Sequence, residues 1–222
     1  MDIYSRIVVP LDGSKLAQGI LPHVSEIARV RGSQVHLLTV VPIARRIPPV
    51  LADLLPTSAG TLKEMLQAKR RLSNYLQGLA QELTPASEVH VSVRFGNPVE
   101  EILAFTEEIE ADLIALSAHG RSGISRWVFG SVTDRVLHDV PCPLLLIPNL
   151  PAYPQPTYQR ILIPLDGSDL AEQVLPYVST LVRPNHTRIF LLSVLADGLS
   201  DRAITMLTSS PPLMMPIIPM TR

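Results

Sequence analysis

The sequence predicts an α/β fold in which a doubly wound, parallel, five-stranded sheet is followed by a partial second β-α-β unit. Two observations lead to this prediction. Short β-branched runs alternate with helical periodicity along residues 1–149, and such alternation is typical of parallel sheets with helices on both faces. In addition, the segment "RIVVPLDGS", which begins at Arg6, recurs as "RILIPLDGS" from Arg160. A gapless match that continues for about thirty-six residues indicates duplication of a whole structural unit.

The first half of the first unit contains two predicted strands with a helix between them. "RIVVPL" and "QVHLLTVV" are short apolar runs rich in β-branched residues, as buried strands are. Ser14 is a suitable N-cap for a helix that runs to about Arg31 and ends at Gly32. Because Pro22 lies well inside this helix, we expect the helix to kink or restart there. Residues 42–60 contain prolines and few charges, and are predicted to form a loop.

The second half of the unit continues the alternation. The spacing of leucines predicts a long helix over about 61–83. Pro98 begins a helix that ends near Glu108, and a short helix is expected from Gly130 to Asp139. The remaining strands are "EVHVSVRFG", "ADLIALS" and "PLLLIP". In sheets of this class a ligand binds at the carboxyl ends of the strands, where the winding reverses.

The repeat also sets the predicted domain boundaries. The first domain covers 1–149, a proline-rich linker covers 150–157, and a truncated second repeat with an apolar tail covers 158–222. The match fades after Leu195, so the second unit is expected to contain only a strand, a helix and a strand. Such a unit exposes an apolar face, which either docks on the first domain or pairs with another chain. The tail "PPLMMPIIPM" is expected to be either disordered or a packing arm.

Composition and charge exclude several classes of protein. The net charge of −1 argues against a broad electrostatic footprint for nucleic acid or for an anionic membrane surface. The single cysteine, Cys142, excludes an internal disulfide framework and a multi-cysteine metal site, and it is expected to pack in the interior. No apolar stretch has the length of a membrane span, and the first residues do not resemble a signal peptide. A reducing cytoplasm is therefore the expected location.

The stretch "SAHGRSGISRWVFGS", from Ser117 to Ser131, carries the predicted ligand chemistry. It leaves the carboxyl end of the fourth predicted strand and enters a helix. A phosphate chain needs backbone N–H groups, close approach and a helix N-terminus, and glycines allow that approach. The glycines, hydroxyls and guanidinium groups suited to this role are Gly120, Gly123, Gly130, Ser131, Thr133, Arg121 and Arg126.

The other half of the predicted site comes from the first two strands. Asp12 follows the first strand and could accept a hydrogen bond from a ribose hydroxyl or an adenine amino group. Val40 and Val41 could form an apolar wall for a base. Asp12 could equally be only a turn residue, because Asp-Gly favours turns, and its recurrence as Asp166 does not discriminate between the two roles.

These residues give the chain a resemblance to the universal stress protein (UspA-like) family. Its ATP-binding members carry the pattern G-x2-G-x9-G-[ST] after the fourth strand, where this chain has "SAHG", nine residues and "GS". The segments "PLDGS", "HGRSG" and "PCPLLLIP" match as well. The resemblance covers 1–149 fully and 158–195 as the start of a second copy. It implies a Rossmann-like fold of the adenine nucleotide alpha hydrolase type, with ATP or another adenine nucleotide as ligand, alone or with Mg²⁺.

The resemblance also implies which residues contact the nucleotide, and one of them departs from the pattern. The first glycine of the pattern is Ser117 here. The side chain of Ser117 weakens nucleotide binding if the backbone there must come very close to the ligand. It has no effect on binding if the torsion angles of Ser117 are ordinary. The matching positions are Pro10, Asp12, Val40, Leu116, Ser117, His119, Gly120, Gly130, Ser131, Val132 and Thr133, to which the glycine-rich loop adds Arg121 and Gly123.

The leading prediction is a nucleotide-binding universal stress protein that acts as a sensor or regulator. Without a Walker lysine or a clear general base, it is expected to hydrolyse ATP slowly at most, and no catalytic residue or protein-bound metal is predicted.

The alternative is a ligand-free module of the same family that acts by dimerisation. A homodimer is expected in either case, because the family usually pairs through the edge strand after Pro143. An ATP pyrophosphatase or nucleotidyl transferase is disfavoured, since the first strand is followed by "DGS" rather than an "SGG"-type loop.

Overall fold

The structure is a computed structural model, and the chain divides into two compact units, Met1–Pro156 and Thr157–Arg222. The structure describes residues 3–42, 62–83, 88–118, 130–148, 158–183, 185–193 and 205–208.

A parallel five-stranded sheet forms the centre of the first unit. The strands are β1 (Arg6–Pro10), β2 (Gln34–Val41), β3 (Val89–Phe95), β4 (Leu113–Ala118) and β5 (Leu144–Pro148). They lie in the order β3-β2-β1-β4-β5, and every neighbouring pair is parallel. The predicted doubly wound sheet is thus confirmed. The winding reverses between β1 and β4, so the carboxyl ends of these two strands border the crevice where ligands bind in such sheets.

Capping residues, a glycine and a proline determine where the helices of the first unit begin and end. They are α1 (Lys15–Gln18), α2 (Leu21–Arg31), α3 (Leu62–Glu82), α4 (Pro98–Glu108) and α5 (Ser131–Asp139). The hydroxyl of Ser14 caps α1 by accepting from the backbone N–H of Ala17. Gly32 ends α2 in the left-handed conformation, with φ 69°. The helix predicted to run from Ser14 to Arg31 is two helices, because Pro22 occupies the first turn of α2 and cannot continue α1.

Helices cover both faces of this sheet. On one face Val8 and Leu38 cluster with Ile102 and Phe105 of α4 and with Val136 of α5. Side chains alternate along a strand, so the neighbours of Val8 and Leu38 point to the opposite face. Those neighbours are also fully buried; they are Ile7, Val9 and Leu37.

The second unit contains the start of the repeat and an additional strand. Its elements are β6 (Arg160–Pro164), α6 (Asp169–Glu172), α7 (Leu175–Ser179), β7 (Arg188–Leu192) and β8 (Thr205–Thr208). β6 and β7 are parallel, as in the first copy, and β8 pairs antiparallel with β7. The prediction of only two strands was wrong. β8 is four residues long and lies beyond Leu195, where the sequence match between the two copies ends, so neither its length nor the repeat indicated a strand there.

No helix in the described part of the chain has both the length and the apolar character needed to cross a membrane.

Candidate functional site

A cavity of about 210 Å³ lies in the first unit at the carboxyl ends of β1, β2 and β4. Its wall is mostly apolar, and polar side chains come from Asp12, Ser117 and Thr133 alone among the described lining residues. The lining consists of Pro10, Leu11, Asp12, Ala17, Leu38, Val40, Pro42, Pro98, Ile102, Leu116, Ser117, Val132 and Thr133. The cavity therefore occupies the place where the winding of the sheet reverses.

Hydrogen bonds to β2 hold the end of β1 in place. The backbone N–H of Leu11 donates to the carbonyl of Leu38 at 2.8 Å, and the buried hydroxyl of Thr39 donates to the carbonyl of Leu11 at 3.0 Å. These two bonds fix the strand one residue before Asp12, whose exposed side chain lies at the mouth of the cavity.

Asp12 also builds the turn that follows the strand. Its Oδ1 accepts from the backbone N–H of Ser14 at 2.9 Å, and Gly13 between them has φ 83°, which favours glycine. The role of a turn residue and the role of a ligand contact are therefore compatible, because a carboxylate can accept several hydrogen bonds.

The short helix α1 is anchored to α3, which positions Ala17 in the cavity wall. The side-chain amide of Gln18 donates to the hydroxyl of Tyr75 at 2.9 Å. Burial raises the pKa of Tyr75, an effect that the hydrogen bond from Gln18 opposes and the negative charge of Asp12 reinforces. Tyr75 therefore stays protonated near neutral pH, and its hydroxyl remains available to anchor Gln18.

β4 contributes Ser117 to the wall in ordinary strand geometry. Ser117 pairs in register with Ile147 of β5 and is 7% exposed. It is absent from the residues with positive φ in the described chain. The backbone at this position therefore accommodates a side chain without strain.

Gly130 precedes α5 in a conformation that any residue adopts, with φ −61° and ψ 152°. A Cβ atom added to it would meet no atom of the described residues within 4 Å. As the N-cap residue, Gly130 has no side chain that could accept from the backbone N–H groups in the first turn of α5. The N-terminus of α5, with its partial positive charge, thus lies beside Val132 and Thr133 in the cavity wall.

Seven of the residues predicted from the sequence line the cavity together: Pro10, Asp12, Val40, Leu116, Ser117, Val132 and Thr133. Gly130 and Ser131 begin α5 next to them without lining it. The predicted contacts His119, Gly120, Arg121 and Gly123, together with Arg126, lie outside the described residues. Val41 was expected beside Val40 in the wall and is not there, because alternation along β2 directs it away.

Sequence reasoning missed six lining residues: Leu11, Ala17, Leu38, Pro42, Pro98 and Ile102. Pro42 could have been found, because it follows a predicted strand at the carboxyl edge of the sheet. Pro98 and Ile102 carry no comparable signal, since their place depends on how α4 packs over β2.

Two further titratable side chains of the first unit, Cys142 and His138, have shifted pKa values. Burial raises the pKa of the Cys142 thiol to about 11, which keeps it protonated and poorly nucleophilic. Exposed His138 contacts the carbonyl of Asp134 at 2.7 Å through Nδ1, and this hydrogen bond raises its pKa. Among the described residues, no group of three or more histidine, cysteine, aspartate or glutamate side chains could hold a metal ion.

Comparisons with known proteins agree with this fold. The model of the universal stress protein family matches residues 3–148. A universal stress protein of Methanocaldococcus jannaschii is 28% identical over 147 residues, which cover 66% of this chain and 83% of that protein. A universal stress protein of Synechocystis is 25% identical over 150 residues, covering 65% and 97% of the two chains. The crystal structure of a universal stress protein from Archaeoglobus fulgidus shows a similar fold, with a TM-score of 0.70 at 21% identity over 88% of this chain and 69% of that one.

Proposed function

The chain belongs to the universal stress protein family, and we propose that its first unit binds an adenine nucleotide, ATP alone or with Mg²⁺, and acts in the cytoplasm as a sensor or regulator of the stress response. The observation that carries the proposal is the cavity at the reversal of the winding, with an apolar wall on one side and an uncapped helix N-terminus on the other.

The apolar part of the cavity suits a base and a ribose. Val40 and Pro42 offer apolar surface for an adenine ring, and Asp12 at the mouth is placed to accept from a hydroxyl or amino group. At about 210 Å³ the cavity is smaller than the roughly 300–1,000 Å³ of complete ligand pockets. It therefore suits the nucleoside portion, with the phosphates extending along the N-terminus of α5.

Gly130 supports the phosphate end of this arrangement. Neither its torsion angles nor its described neighbours require a glycine, since a Cβ would meet none of their atoms within 4 Å. A phosphate that approaches the backbone closely supplies the missing reason, because a side chain would stand in its way. The N–H groups of Ser131 and Val132 in the first turn would donate to such a phosphate.

Binding without rapid turnover is part of the same proposal. Asp12 is the one titratable side chain among the described lining residues. The nucleotide thus acts as a signal or a structural ligand, with slow hydrolysis at most.

We also propose that the chain forms homodimers through β5, one of the two edge strands of the first sheet as described. Its residues from Leu144 to Ile147 are only partly buried, and an apolar edge strand is a ready template for pairing with a second chain. Multi-angle light scattering tests this directly. A monomer at tens of micromolar would contradict it.

Titration calorimetry of the full chain with ATP, ADP and AMP in the presence of Mg²⁺ tests the nucleotide proposal. We expect saturable binding, weakened at least roughly tenfold by Gly130→Asn, because the new side chain caps the N–H groups that the phosphate uses. Gly130→Asp adds a negative charge and should abolish binding. Both residues are good N-caps, so thermal unfolding should not shift downward.

A matched control comes from α3, where a Cβ added at Gly78 also meets nothing within 4 Å. Gly78→Asn should leave affinity unchanged. Absence of heat and of any thermal shift at millimolar nucleotide would overturn the proposal in favour of the ligand-free module. Unchanged affinity of Gly130→Asp would overturn the assignment of the phosphate to α5.

A further inference from the structure

The two copies of the repeat differ in what covers the same strand face. Val8 on β1 and Leu162 on β6 are equivalent positions, 154 residues apart. Val8 is 0% exposed, whereas Leu162 is 60% exposed. On the neighbouring strand, Leu38 is fully buried and its counterpart Leu192 is only partly buried. The second unit thus presents a sheet face that the first unit keeps in its core.

The first unit shows which segment covers that face. Val8 and Leu38 cluster with Ile102 and Phe105 of α4 and with Ile114 of β4. β4 also pairs directly with β1, with Val8 opposite Ile114. The residues from Pro98 to Ala118 therefore supply both a helix for the face and a strand for the edge. The described residues of the second unit contain no counterpart of this segment.

The backbone edge of β6 is oriented to accept a strand. The N–H of Leu165 donates to the carbonyl of Leu192, and the N–H of Arg188 donates to the carbonyl of Gln159. Gln159 and Leu165 flank β6, so the odd-numbered residues along this stretch direct their N–H and carbonyl groups to β7. By alternation the N–H and carbonyl of Leu162 point to the other side. In the sheet formed by the described residues, β6 is the edge strand on that side. In the first unit the same side is occupied, since Asp112 donates its N–H to the carbonyl of Arg6 at 3.0 Å.

The charged residues at the starts of β1 and β6 also indicate that the segment covering β6 is acidic. The guanidinium of Arg6 forms an ion pair with Glu110 at 3.0 Å, and its backbone N–H donates to the carboxylate of Asp112 at 2.9 Å. Both acids belong to the connection between α4 and β4. The counterpart Arg160 is exposed and forms no ion pair with the described carboxylates. Arg188, its exposed register partner on β7, adds a second positive charge.

We propose that this surface, formed by Arg160, Leu162, Arg188 and Phe190 and by the edge of β6, docks an acidic helix–strand segment of another polypeptide. The helix would lay its apolar side on Leu162 and Phe190, which share one face of the sheet. The following apolar strand would add to β6 in parallel, and a carboxylate before that strand would pair with Arg160. Strand addition at an edge gives affinity through backbone hydrogen bonds, and the side chains give specificity.

The probe for this docking is a fluorescein-labelled peptide with the sequence of residues 97–118, titrated with the full chain and followed by fluorescence anisotropy. We expect saturable binding with one peptide per chain. Leu162→Asp should weaken it at least roughly tenfold, because a charge would be buried under the helix. Leu170→Asp is the matched control, since Leu170 is 75% exposed and its first-copy counterpart, Leu16, stays 44% exposed in the complete unit.

A charge exchange separates docking from damage to the fold. Arg160→Glu should weaken the peptide several-fold, and a peptide carrying Glu110→Arg should regain that loss with the variant chain. Absence of saturable binding to the wild-type chain, or equal binding to the Leu162→Asp variant, would overturn the proposal. Self-association of the full chain that Leu162→Asp abolishes would also overturn it, and would identify a second copy as the occupant.

Discussion

The turns after β1 and β6 have the same geometry in two different surroundings. Asp12 and Asp166 each accept from the backbone N–H two residues later at 2.9 Å, and the glycines that follow them have φ 83° and 84°. A serine caps the next helix in each case. Five residues, "PLDGS", therefore determine the turn and the helix start wherever they occur, because every partner lies within that segment or the next turn of helix.

The strands before these turns differ because burial depends on distant residues. The face of β1 is covered by α4 and bordered by β4, and the corresponding face of β6 is open. Asp12 lies in a cavity that β4 and α5 help to form, and the described second unit has no counterpart of either element. The repeated motif is therefore sufficient for the turn, whereas a binding site requires the rest of the unit.

The strongest test of this difference exchanges an apolar residue for a charge at the two equivalent strand positions. Val8→Asp should cost at least about 4 kcal/mol of the free energy of unfolding, because it buries an unpaired carboxylate. Leu162→Asp should change it by less than about 0.5 kcal/mol. Urea unfolding of each variant, followed by circular dichroism, measures the two losses. Equal losses would mean that the face of β6 is covered in solution.

The second test separates the turn from the site. Asp12→Ala and Asp166→Ala remove the same hydrogen bond to the backbone of a serine. Asp12→Ala should weaken nucleotide binding by at least about 1 kcal/mol, roughly fivefold, because a hydrogen bond to a charged group is lost. Asp166→Ala should leave the affinity unchanged. Calorimetry with ATP decides, and equal effects of the two substitutions would refute the assignment of the site to the first unit.

The third test uses His36, whose counterpart in the second copy is Phe190. Burial lowers the pKa of His36 to about 4, and the positive charges of His90 and Arg6 add to this effect. The ring of His90 stacks on it at 4.7 Å, and the buried Nε2 of His36 has no hydrogen-bond partner among the described residues. The folded chain therefore keeps His36 neutral at pH values where an ordinary histidine is charged.

The sign of the pH dependence follows from proton binding. In the unfolded chain the residue takes up a proton near pH 6.5, whereas in the folded chain it does so only near pH 4. The free energy of unfolding should thus fall as the pH falls from about 6.5 to about 4, by about 1–2 kcal/mol after allowance for the partial exposure of the ring. His36→Phe should flatten this part of the profile in urea titrations. An unchanged slope would show that other groups cause it.

The smallest expected effect concerns the two helix caps. Ser14→Ala and Ser168→Ala should each destabilise the local helix by about 0.5–2 kcal/mol, and by similar amounts, because the capping bonds have similar lengths of 3.0 and 3.1 Å. Amide hydrogen exchange at Ala17 and Ala171 measures each helix separately. A large difference between the two would show that tertiary contacts, not the motif, stabilise the caps.

Local signals in the sequence were sufficient for most of the first unit. Strand and helix periodicity, the cap at Ser14, the stop at Gly32 and the restart at Pro22 were all readable, because each rests on residues a few positions apart. The gathering of Asp12, Val40 and Ser117 around one cavity was predictable as well, since the carboxyl ends of parallel strands meet at one edge of the sheet. β8 was not predictable, because its ordering depends on pairing with β7.

By itself the sequence determined the order of strands and helices, the duplicated turn and the family, since these follow from short-range spacing and from a recognisable motif. The tertiary structure decided that Ile102 and Pro98 join the cavity, that Val41 leaves it, and that Leu162 is exposed where Val8 is buried. The physical reason is that backbone torsions and caps are set by near neighbours in the chain. Burial, cavity shape and pKa are set by whichever distant elements pack against a residue, and an identical motif does not encode those.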